Sequence, residues 1–302
     1  MSTLPTVTVH HSSSGSKLVA SLFGGHILSY SYKNQDALFI SSRAVLDGSK
    51  PIRGGIPIAF PQFAAQGPLS MHGFARTSMW EMRGSGDGYL ELSLSSSETT
   101  MAQWPHPFNL TLRADFDGPT LRTSLTVENT GDSTFSFEAL QHTYLAGGTD
   151  CIGEMGEGTL SVSGLAGMAY FAKATQEEGI EVRDEFKPVG EFDRVYRSPP
   201  GSGDVVVRGI RGPSFTKVTV SRAGFTKDRA PTLSSAAAPA GVDVVVWNPG
   251  PIRAAAIADL GPDDWKHYIC VEPGRVSENT KQDGLLPPGK VFTLIQTLTI
   301  NE

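Results

Sequence analysis

FNLTLRADFDGPTLRTSLTVENTG, residues 108–131, is the stretch that decides the fold class. Apolar and polar residues alternate on both sides of Asp117-Gly118-Pro119, which is typical of two half-buried strands joined by a tight turn. A second cluster of turn residues, 128–132, ends the second strand and leads into another alternating run. The stretch therefore predicts an antiparallel hairpin.

The same period of two continues over most of the chain. Short runs rich in β-branched and aromatic residues are bounded by Gly, Pro, Asp or Asn, as in SLFGGHILSYSY, YLELSLSSS, VDVVVWNP and VFTLIQTLTI. Helical periodicity is scarce, and strands do not alternate with helices as they do around a parallel sheet. The 33 glycines and 20 prolines are spread along the chain and do not mark a linker. We therefore predict an all-β protein in which residues 1–302 form one large antiparallel β-sandwich domain.

Composition and charge limit the possible functions. With 302 residues, of which 39% are hydrophobic, the chain is long enough to bury a full core. A formal net charge of -6 gives no overall attraction to nucleic acid or to an anionic membrane. The chain has no apolar signal core, no run that approaches a membrane span, and only two cysteines, Cys151 and Cys270, without metal-type spacing. We expect a cytoplasmic monomer with reduced thiols that binds a small molecule, and neither nucleic acid nor membrane.

Two arginines bound a loop of small and apolar residues, RGGIPIAFPQFAAQGPLSMHGFAR, residues 53–76. The glycines after Arg53 let the backbone approach a ligand closely, and HGFAR places His72 shortly before Arg76. Guanidinium groups suit phosphate and carboxylate because their planar donors bind such groups in bidentate fashion. The pair predicts a site for a dianion, and solvated arginines paired with acidic neighbours are the alternative.

EALQHTYL and HYICVEPG each place a titratable group on an apolar strand. His142 shares a strand face with Leu140 and Tyr144, an environment that favours a neutral imidazole. Glu272 ends its strand just before a Pro-Gly turn, where partial desolvation would raise the pKa of the carboxyl and make it a better base. Each residue has a structural alternative: a hydrogen-bonded core histidine, and a carboxylate that accepts hydrogen bonds from backbone amides.

Two further motifs carry side chains that suit a sugar. FDRVY contains Asp193 and Arg194, which can bind hydroxyl groups or form an ordinary exposed ion pair. WNP contains Trp247 at the end of a valine-rich strand, where the indole can stack on a sugar ring or pack in the core. Neither motif distinguishes between its two alternatives by itself.

As an ordered set, RGG…FPQF…HGFAR, QHTYL, FDRVY, WNP and CVEPG resemble the aldose 1-epimerase family, in the branch that acts on hexose 6-phosphates. The resemblance implies a galactose-mutarotase-like β-sandwich with a substrate cleft on one sheet and with no cofactor or metal. It also implies a role for each of the following residues: general acid, His142; general base, Glu272; phosphate binding, Arg53 and Arg76; sugar binding, Gln62, His72, Asp193 and Trp247.

One base and one acid are sufficient for the chemistry of such an enzyme. The base takes the proton from the C1 hydroxyl, the acid protonates the ring oxygen, and closure after rotation about C1–C2 gives the other anomer. A 6-phosphate carries about −1.5 to −2 charges near neutral pH, which would account for the two arginines. We therefore expect an isomerase that acts chiefly on glucose 6-phosphate.

Three other functions stay open at this point. A non-catalytic carbohydrate-binding sandwich would not need His142 and Glu272 within reach of the same sugar. A mutarotase of unphosphorylated aldoses would keep the acid and the base without the phosphate site. A metal-dependent enzyme would use His72, His142 and Glu272 as ligands.

Overall fold

The computed structural model describes residues 4–199, 201–210, 217–228, 238–276 and 285–301. Within these ranges the strands are β1 (Thr6–His10), β2 (Lys17–Ser21), β3 (His26–Tyr32), β4 (Gln35–Asp36), β5 (Ile58–Ala59), β6 (Glu81–Gly86), β7 (Tyr89–Ser95), β8 (Phe108–Asp117), β9 (Thr120–Asn129), β10 (Phe135–Ser136), β11 (Ala139–Gln141), β12 (Tyr144–Ala146), β13 (Ser161–Ser163), β14 (Ala169–Ala172), β15 (Glu177–Ile180), β16 (Glu185–Phe186), β17 (Phe192–Tyr196), β18 (Val205–Arg208), β19 (Lys217–Asp228), β20 (Ala238–Ala240), β21 (Asp243–Asn248), β22 (Tyr268–Arg275), β23 (Leu285–Leu286) and β24 (Lys290–Asn301).

Helical structure is limited to short segments. The described residues form two α-helices, α1 (Glu98–Gln103) and α2 (Gly250–Ala255), and two 3-10 turns, Ala75–Thr77 and Asp264–His267. Each α-helix has 6 residues. In the described part of the chain, no helix has the length and apolar character needed to cross a membrane.

Two large antiparallel sheets make up most of the described structure. The ten-stranded sheet has the order β16-β13-β18-β19-β24-β9-β8-β7-β6, with β20 paired to β19. The eight-stranded sheet has the order β15-β14-β17-β21-β22-β11-β5, with β12 paired to β22. A four-stranded sheet, β1-β2-β3-β4, and the pair β10-β23 are smaller. All pairings between these strands are antiparallel, and the predicted all-β architecture is confirmed.

The ten-stranded sheet follows the alternation seen in the sequence. Along β8, every second residue from Phe108 to Phe116 is buried and the residues between them are partly exposed. The predicted hairpin is confirmed, because β8 and β9 pair from Phe108–Asn129 to Asp117–Thr120. Gly118, at the turn, has a φ of 53°, which glycine adopts without a steric penalty. The apolar face of this sheet thus packs against the core.

The central strands of the eight-stranded sheet, β21 and β22, are covered on both faces. Every residue of β21 and β22 is buried, so these strands show no alternation between core and solvent. Buried polar contacts join this sheet to the other one: Gln141 Nε2 donates to the Leu294 carbonyl at 3.3 Å, and Thr143 Oγ1 donates to Gln296 Oε1 at 2.8 Å. Residues 141 and 143 therefore face the ten-stranded sheet.

The strand predicted around His142 is interrupted at that residue. β11 ends at Gln141 and β12 begins at Tyr144, and the Thr143 N–H donates back to the Gln141 carbonyl at 2.9 Å. The His142 N–H instead donates to the Pro57 carbonyl at 2.9 Å. The side chains of His142 and Tyr144 nevertheless share one face, as predicted, and that face is opposite to the one that packs on the ten-stranded sheet.

Candidate active site

His142, at the interruption between β11 and β12, lies opposite Glu272 on β22 of the eight-stranded sheet. The pairings Leu140–Gly274 and Tyr144–Cys270 on either side fix this register. His142 Nδ1 is 3.2 Å from Glu272 Oε1. The contact lacks the alignment of a hydrogen bond: within the described residues, Nδ1 and the other carboxylate oxygen, Oε2, are buried without a hydrogen-bond partner. The His142 imidazole and the Glu272 carboxyl can therefore each form a further hydrogen bond, for example with a bound substrate.

Aromatic rings surround the His142 imidazole. The His142 and Tyr144 rings stack with centroids 4.8 Å apart at 14°, and Trp247 meets the imidazole edge-on at 5.7 Å. The His72 ring lies on a further side at 5.3 Å. The imidazole of His142 is therefore in contact with rings on several sides.

Burial changes the proton affinity of both groups. It raises the pKa of the Glu272 carboxyl well above its ordinary value, and the nearby Asp193 adds to the rise while Lys173 opposes it. Burial lowers the pKa of the His142 imidazole well below its ordinary value, and His72 and the surrounding cations lower it further. The carboxylate is therefore a stronger base than a solvated glutamate.

Arg53 lies near the pair with part of its guanidinium already bonded. Nε and Nη2 are 3.2 and 3.1 Å from Asp259 Oδ1, and Nη1 donates to the Tyr144 hydroxyl at 3.3 Å. The ion pair with Asp259 is partly buried, with 24% of the arginine side chain and 18% of the aspartate side chain exposed. Arg53 is thus held in place by the protein itself.

The two glycines after Arg53 are required by the local fold. A Cβ on Gly54 would lie 2.3 Å from the Phe39 carbonyl oxygen, and a Cβ on Gly55 would lie 2.3 Å from that of Ile27. Both residues have positive φ, 111° and 64°. Both positions therefore pack against the protein's own backbone, and our expectation that they allow close approach to a ligand stays a prediction.

Arg76 differs from Arg53 in its partners. Its Nη2 donates to the Met71 carbonyl at 2.6 Å, whereas its Nε is buried without a hydrogen bond. Within the described residues it forms no ion pair, so the alternative of an arginine paired with an acidic neighbour is not what the structure has there. Burial, together with the charge of Arg53, lowers the pKa of Arg76 to about 10. An anion beside this guanidinium would restore a favourable environment for its charge.

His72 and Gln62 belong to the loop between the arginines. Burial and the neighbouring cations lower the pKa of His72 to about 3, so its imidazole is neutral. The Gln62 amide nitrogen donates to the carbonyls of Ala64 and Leu69, and its oxygen accepts from the Leu69 N–H at 2.9 Å. Gln62 therefore holds the loop together with both ends of its amide, while His72 faces His142.

Asp193 and Trp247 are paired residues on β17 and β21. Asp193 is buried, with 6% of its surface exposed, and its Oδ2 lies 3.5 Å from Arg253 Nη1. Burial raises the pKa of this carboxyl, while Lys173 and Arg253 oppose the rise. The ordinary exposed ion pair considered for this motif is thus not what the structure contains. Trp247 is also buried and contributes one wall of the site.

The structure adds residues that the sequence did not single out. Lys173 follows β14, and its Nζ lies 4.5 Å from the centre of the Phe63 ring. Its charge acts on the carboxyls of Asp193 and Glu272. Asp259, the partner of Arg53, comes from a loop after α2. A single lysine or aspartate in a loop carries no spacing signal, and only the tertiary structure brings them here.

One group of three metal-ligand side chains occurs in the described residues. It consists of His142, Cys270 and Glu272, and one ligand atom from each lies within 4.8 Å of the others. The metal site considered from sequence used His72 in place of Cys270. His72 is not part of the group that the structure brings together.

The fold is that of galactose-mutarotase-like proteins. A solved structure described as a "putative mutarotase" from Salmonella typhimurium superposes with a TM-score of 0.74, at 24% sequence identity, over 99% of this chain and 92% of that one. A galactose mutarotase related enzyme from Lactobacillus acidophilus superposes with a TM-score of 0.71 at 17% identity, over 99% and 98% of the two chains. These similarities confirm the predicted β-sandwich class.

Sequence comparison narrows the class to a family. Residues 5–299 match the family model for aldose 1-epimerase. A protein of Cenchrus ciliaris named "Putative glucose-6-phosphate 1-epimerase" is 31% identical over 272 residues, 85% of this chain and 74% of that one. A protein of Escherichia coli with the same name is 30% identical over 270 residues, 86% of this chain and 80% of that one. The chain belongs to the aldose 1-epimerase family and is an isomerase of the mutarotase type, whose substrates are small sugars.

Proposed function

We propose that this chain interconverts the α and β anomers of hexose 6-phosphates, chiefly glucose 6-phosphate. One juxtaposition carries the proposal: the His142–Glu272 pair, 3.2 Å apart, lies within electrostatic reach of Arg76. Arg76 is half-buried, its Nε is buried without a hydrogen bond, and it has no carboxylate partner in the described residues. A mutarotase of free aldoses needs the pair but not the arginine. The names of the two relatives point to the same substrate.

The pair supplies the acid and the base of mutarotation. Glu272 takes the proton from the C1 hydroxyl, and His142 gives a proton to the ring oxygen, so the C1–O5 bond breaks and the aldehyde forms. C1 then turns about the C1–C2 bond, and attack by O5 on the other carbonyl face gives the second anomer. In this step the two groups exchange roles, which leaves the pair with the same number of protons as before. A binding-only sandwich would not require the 3.2 Å separation.

The phosphate is expected to act on the acid as well as on binding. Arg53 and Arg76 both lower the pKa of His142 in the unliganded protein. A phosphate dianion beside them offsets their positive charge, so the pKa of His142 rises when a phosphorylated sugar binds. The imidazolium, the form that donates a proton, is then more populated. A sugar without the phosphate leaves His142 in its weakly basic state.

The two arginines are expected to contribute unequally. Arg53 shares its guanidinium with Asp259 and Tyr144, and a bound phosphate would receive only the donors that remain. Arg76 has an unused, buried Nε and no ion pair in the described part of the chain. Bidentate, charge-assisted contacts are the strong ones, so we assign the larger part of phosphate recognition to Arg76.

The remaining site residues are proposed to hold the sugar ring. Asp193 can accept hydrogen bonds from ring hydroxyls, and neutral His72 can donate or accept one. Trp247 offers an apolar edge beside the reacting carbon. Gln62, which we predicted as a direct ligand, has both ends of its amide engaged by the loop, so we assign it a positioning role for His72.

Anomer exchange measured by two-dimensional NMR tests the proposal. We expect the wild-type protein to accelerate exchange of glucose 6-phosphate far above the spontaneous rate, and to act much more slowly on free glucose and free galactose. Glu272→Gln is the matched control for contaminating activity, because it keeps the shape of the side chain. Equal acceleration of glucose and glucose 6-phosphate, or acceleration of neither, would contradict the proposed substrate.

A further inference from the structure

The floor of the candidate active site contains a thiol that the proposed reaction does not use. Cys270 and Glu272 are two residues apart on β22, so their side chains leave the strand on the same face. Cys270 is a free, fully buried cysteine. One ligand atom each of His142, Cys270 and Glu272 lies within 4.8 Å of the others. Nitrogen, sulfur and oxygen donors of this kind are the ligands that zinc prefers.

A second observation concerns unsatisfied polar atoms. His142 Nδ1 and Glu272 Oε2 are buried, and within the described residues neither has a hydrogen-bond partner. The side chains retain only 10% and 2% of their surface, so solvent provides little compensation. Buried polar atoms of this kind normally have a partner, and both of these atoms belong to residues of the three-donor group.

We propose that His142, Cys270 and Glu272 form a binding site for one thiophilic divalent cation, of which zinc and cadmium are the probes. Around a tetrahedral zinc ion, with bonds of about 2.0–2.3 Å, the donor atoms stand roughly 3.3–3.7 Å apart. The observed N–O separation of 3.2 Å already fits. The widest separation allowed by the cluster, 4.8 Å, requires a side-chain movement of about 1 Å. A water molecule can complete the coordination.

The charges around the site select the kind of cation. Arg53, Arg76 and Lys173 surround His142 and repel any cation by Coulomb forces. Magnesium and calcium bind mainly through charge and oxygen ligands, so this surrounding disfavours them. A thiophilic cation gains a metal–sulfur bond that offsets the repulsion. Binding transfers the thiol proton of Cys270 to the solvent, so the site takes up one cation and releases at least one proton.

Occupation of this site has a consequence for catalysis that rests on the proposed function. The cation would bond to the nitrogen or oxygen lone pairs that move protons in mutarotation, and both the acid and the base would be blocked. Thiophilic cations should therefore act as reversible inhibitors that compete with the sugar phosphate. Cation binding itself does not depend on the reaction.

Cadmium and cobalt titrations of the chelator-treated, reduced full-length protein test the site. We expect one equivalent of Cd²⁺ to produce the ultraviolet thiolate-to-cadmium charge-transfer band, and Co²⁺ to give the intense visible bands of a tetrahedral thiolate complex. Cys270→Ser should abolish both signals. Cys151→Ser is the matched control, because Cys151 is the other buried cysteine and is not part of the cluster. It should keep both signals.

A second variant keeps the test informative if Cys270→Ser does not fold. Glu272→Gln preserves the size of the side chain and should weaken zinc binding, measured by isothermal titration calorimetry, at least about tenfold, because even indirect partners of a metal ligand contribute that much. Absence of a thiolate band in the wild-type protein, or an unchanged band in Cys270→Ser, would overturn the site. A protein that binds Cd²⁺ through Cys270 but has no mutarotase activity would overturn the proposed function alone.

Discussion

The two large sheets differ in what their strands bury. In the ten-stranded sheet, β8 and β9 alternate between buried residues, most of them apolar, and residues that are partly or fully exposed. In the eight-stranded sheet, β21 and β22 are buried at every position, and Glu272 is among the buried residues. Burying apolar surface stabilises a fold, whereas burying an ionisable group costs free energy and shifts its pKa. We therefore expect the ten-stranded sheet to contribute mainly to stability, and the buried polar groups of the eight-stranded sheet to contribute mainly to catalysis.

Glu272→Gln tests the chemical side of this comparison and has the largest expected effect. Without the base, kcat/KM for glucose 6-phosphate should fall by at least ~10², within the ~10²–10⁴ typical of proton transfer by a positioned side chain. The free energy of unfolding should not fall, because burial disfavours the charge of this carboxyl and glutamine carries none. NMR exchange rates and urea unfolding curves measure the two quantities.

His142→Asn provides the companion variant. It should lose activity to a similar degree, and the double variant should lose much less than the product of the two single losses, because the two groups act as a unit. Near-wild-type exchange in either single variant would remove that residue from the proposed mechanism.

Leu125→Ala tests the structural side. Leu125 lies on β9 with none of its surface exposed, and truncation of such a residue typically costs ~2–5 kcal/mol of unfolding free energy because a cavity remains. Activity per folded molecule should stay at the wild-type value. A loss of kcat comparable to that of Glu272→Gln, measured where the variant is fully folded, would show that the two sheets are not functionally distinct.

The buried imidazole of His26 should make the free energy of unfolding depend on pH. His26 Nε2 and the Gly54 carbonyl are 2.8 Å apart, and Nδ1 is buried without a partner in the described residues. Burial lowers the pKa of His26 from 6.5 to about 4. In this window the unfolded state binds the proton and the folded state does not, so stability is lost as the pH falls from 6.5 towards 4, by at most about 3 kcal/mol.

The variant His26→Gln isolates this contribution from those of other groups. Glutamine can donate to the same carbonyl but does not titrate. The difference in unfolding free energy between wild type and variant should therefore shift in favour of the variant as the pH falls through this window. Parallel pH profiles for the two proteins would refute the assignment to His26.

The sequence predicted the regular sheet better than the irregular one. A period of two and the Asp117-Gly118-Pro119 turn were sufficient for β8, β9 and their hairpin, because local side-chain alternation and turn chemistry determine them. The interruption at His142 was not predictable from local sequence. It depends on hydrogen bonds from the His142 and Tyr144 N–H groups to the Pro57 and Gly55 carbonyls, which belong to a loop distant in the sequence. The close packing of Gly54 on Phe39 and of Gly55 on Ile27 was not predictable either, because it also depends on distant residues.

The sequence likewise predicted some residues of the candidate site and missed others. Strand alternation placed His142 beside Tyr144, and family resemblance paired it with Glu272, now seen at 3.2 Å. No local pattern marks Lys173 or Asp259, because their place near the pair comes from tertiary contacts. The sequence also could not distinguish Arg76, which lacks an ion pair in the described residues, from Arg53, which is bonded to Asp259.

The substrate preference of Arg76→Ala tests the central claim most directly. The measurement is the ratio of kcat/KM for glucose 6-phosphate to that for free glucose, with Arg53→Ala as the matched arginine control. Loss of a charge-assisted contact worth ~1.5–3 kcal/mol predicts that Arg76→Ala lowers this ratio by an order of magnitude or more, and that Arg53→Ala lowers it less. An unchanged ratio in Arg76→Ala, with both sugars slowed by the same factor, would contradict recognition of the 6-phosphate at this site.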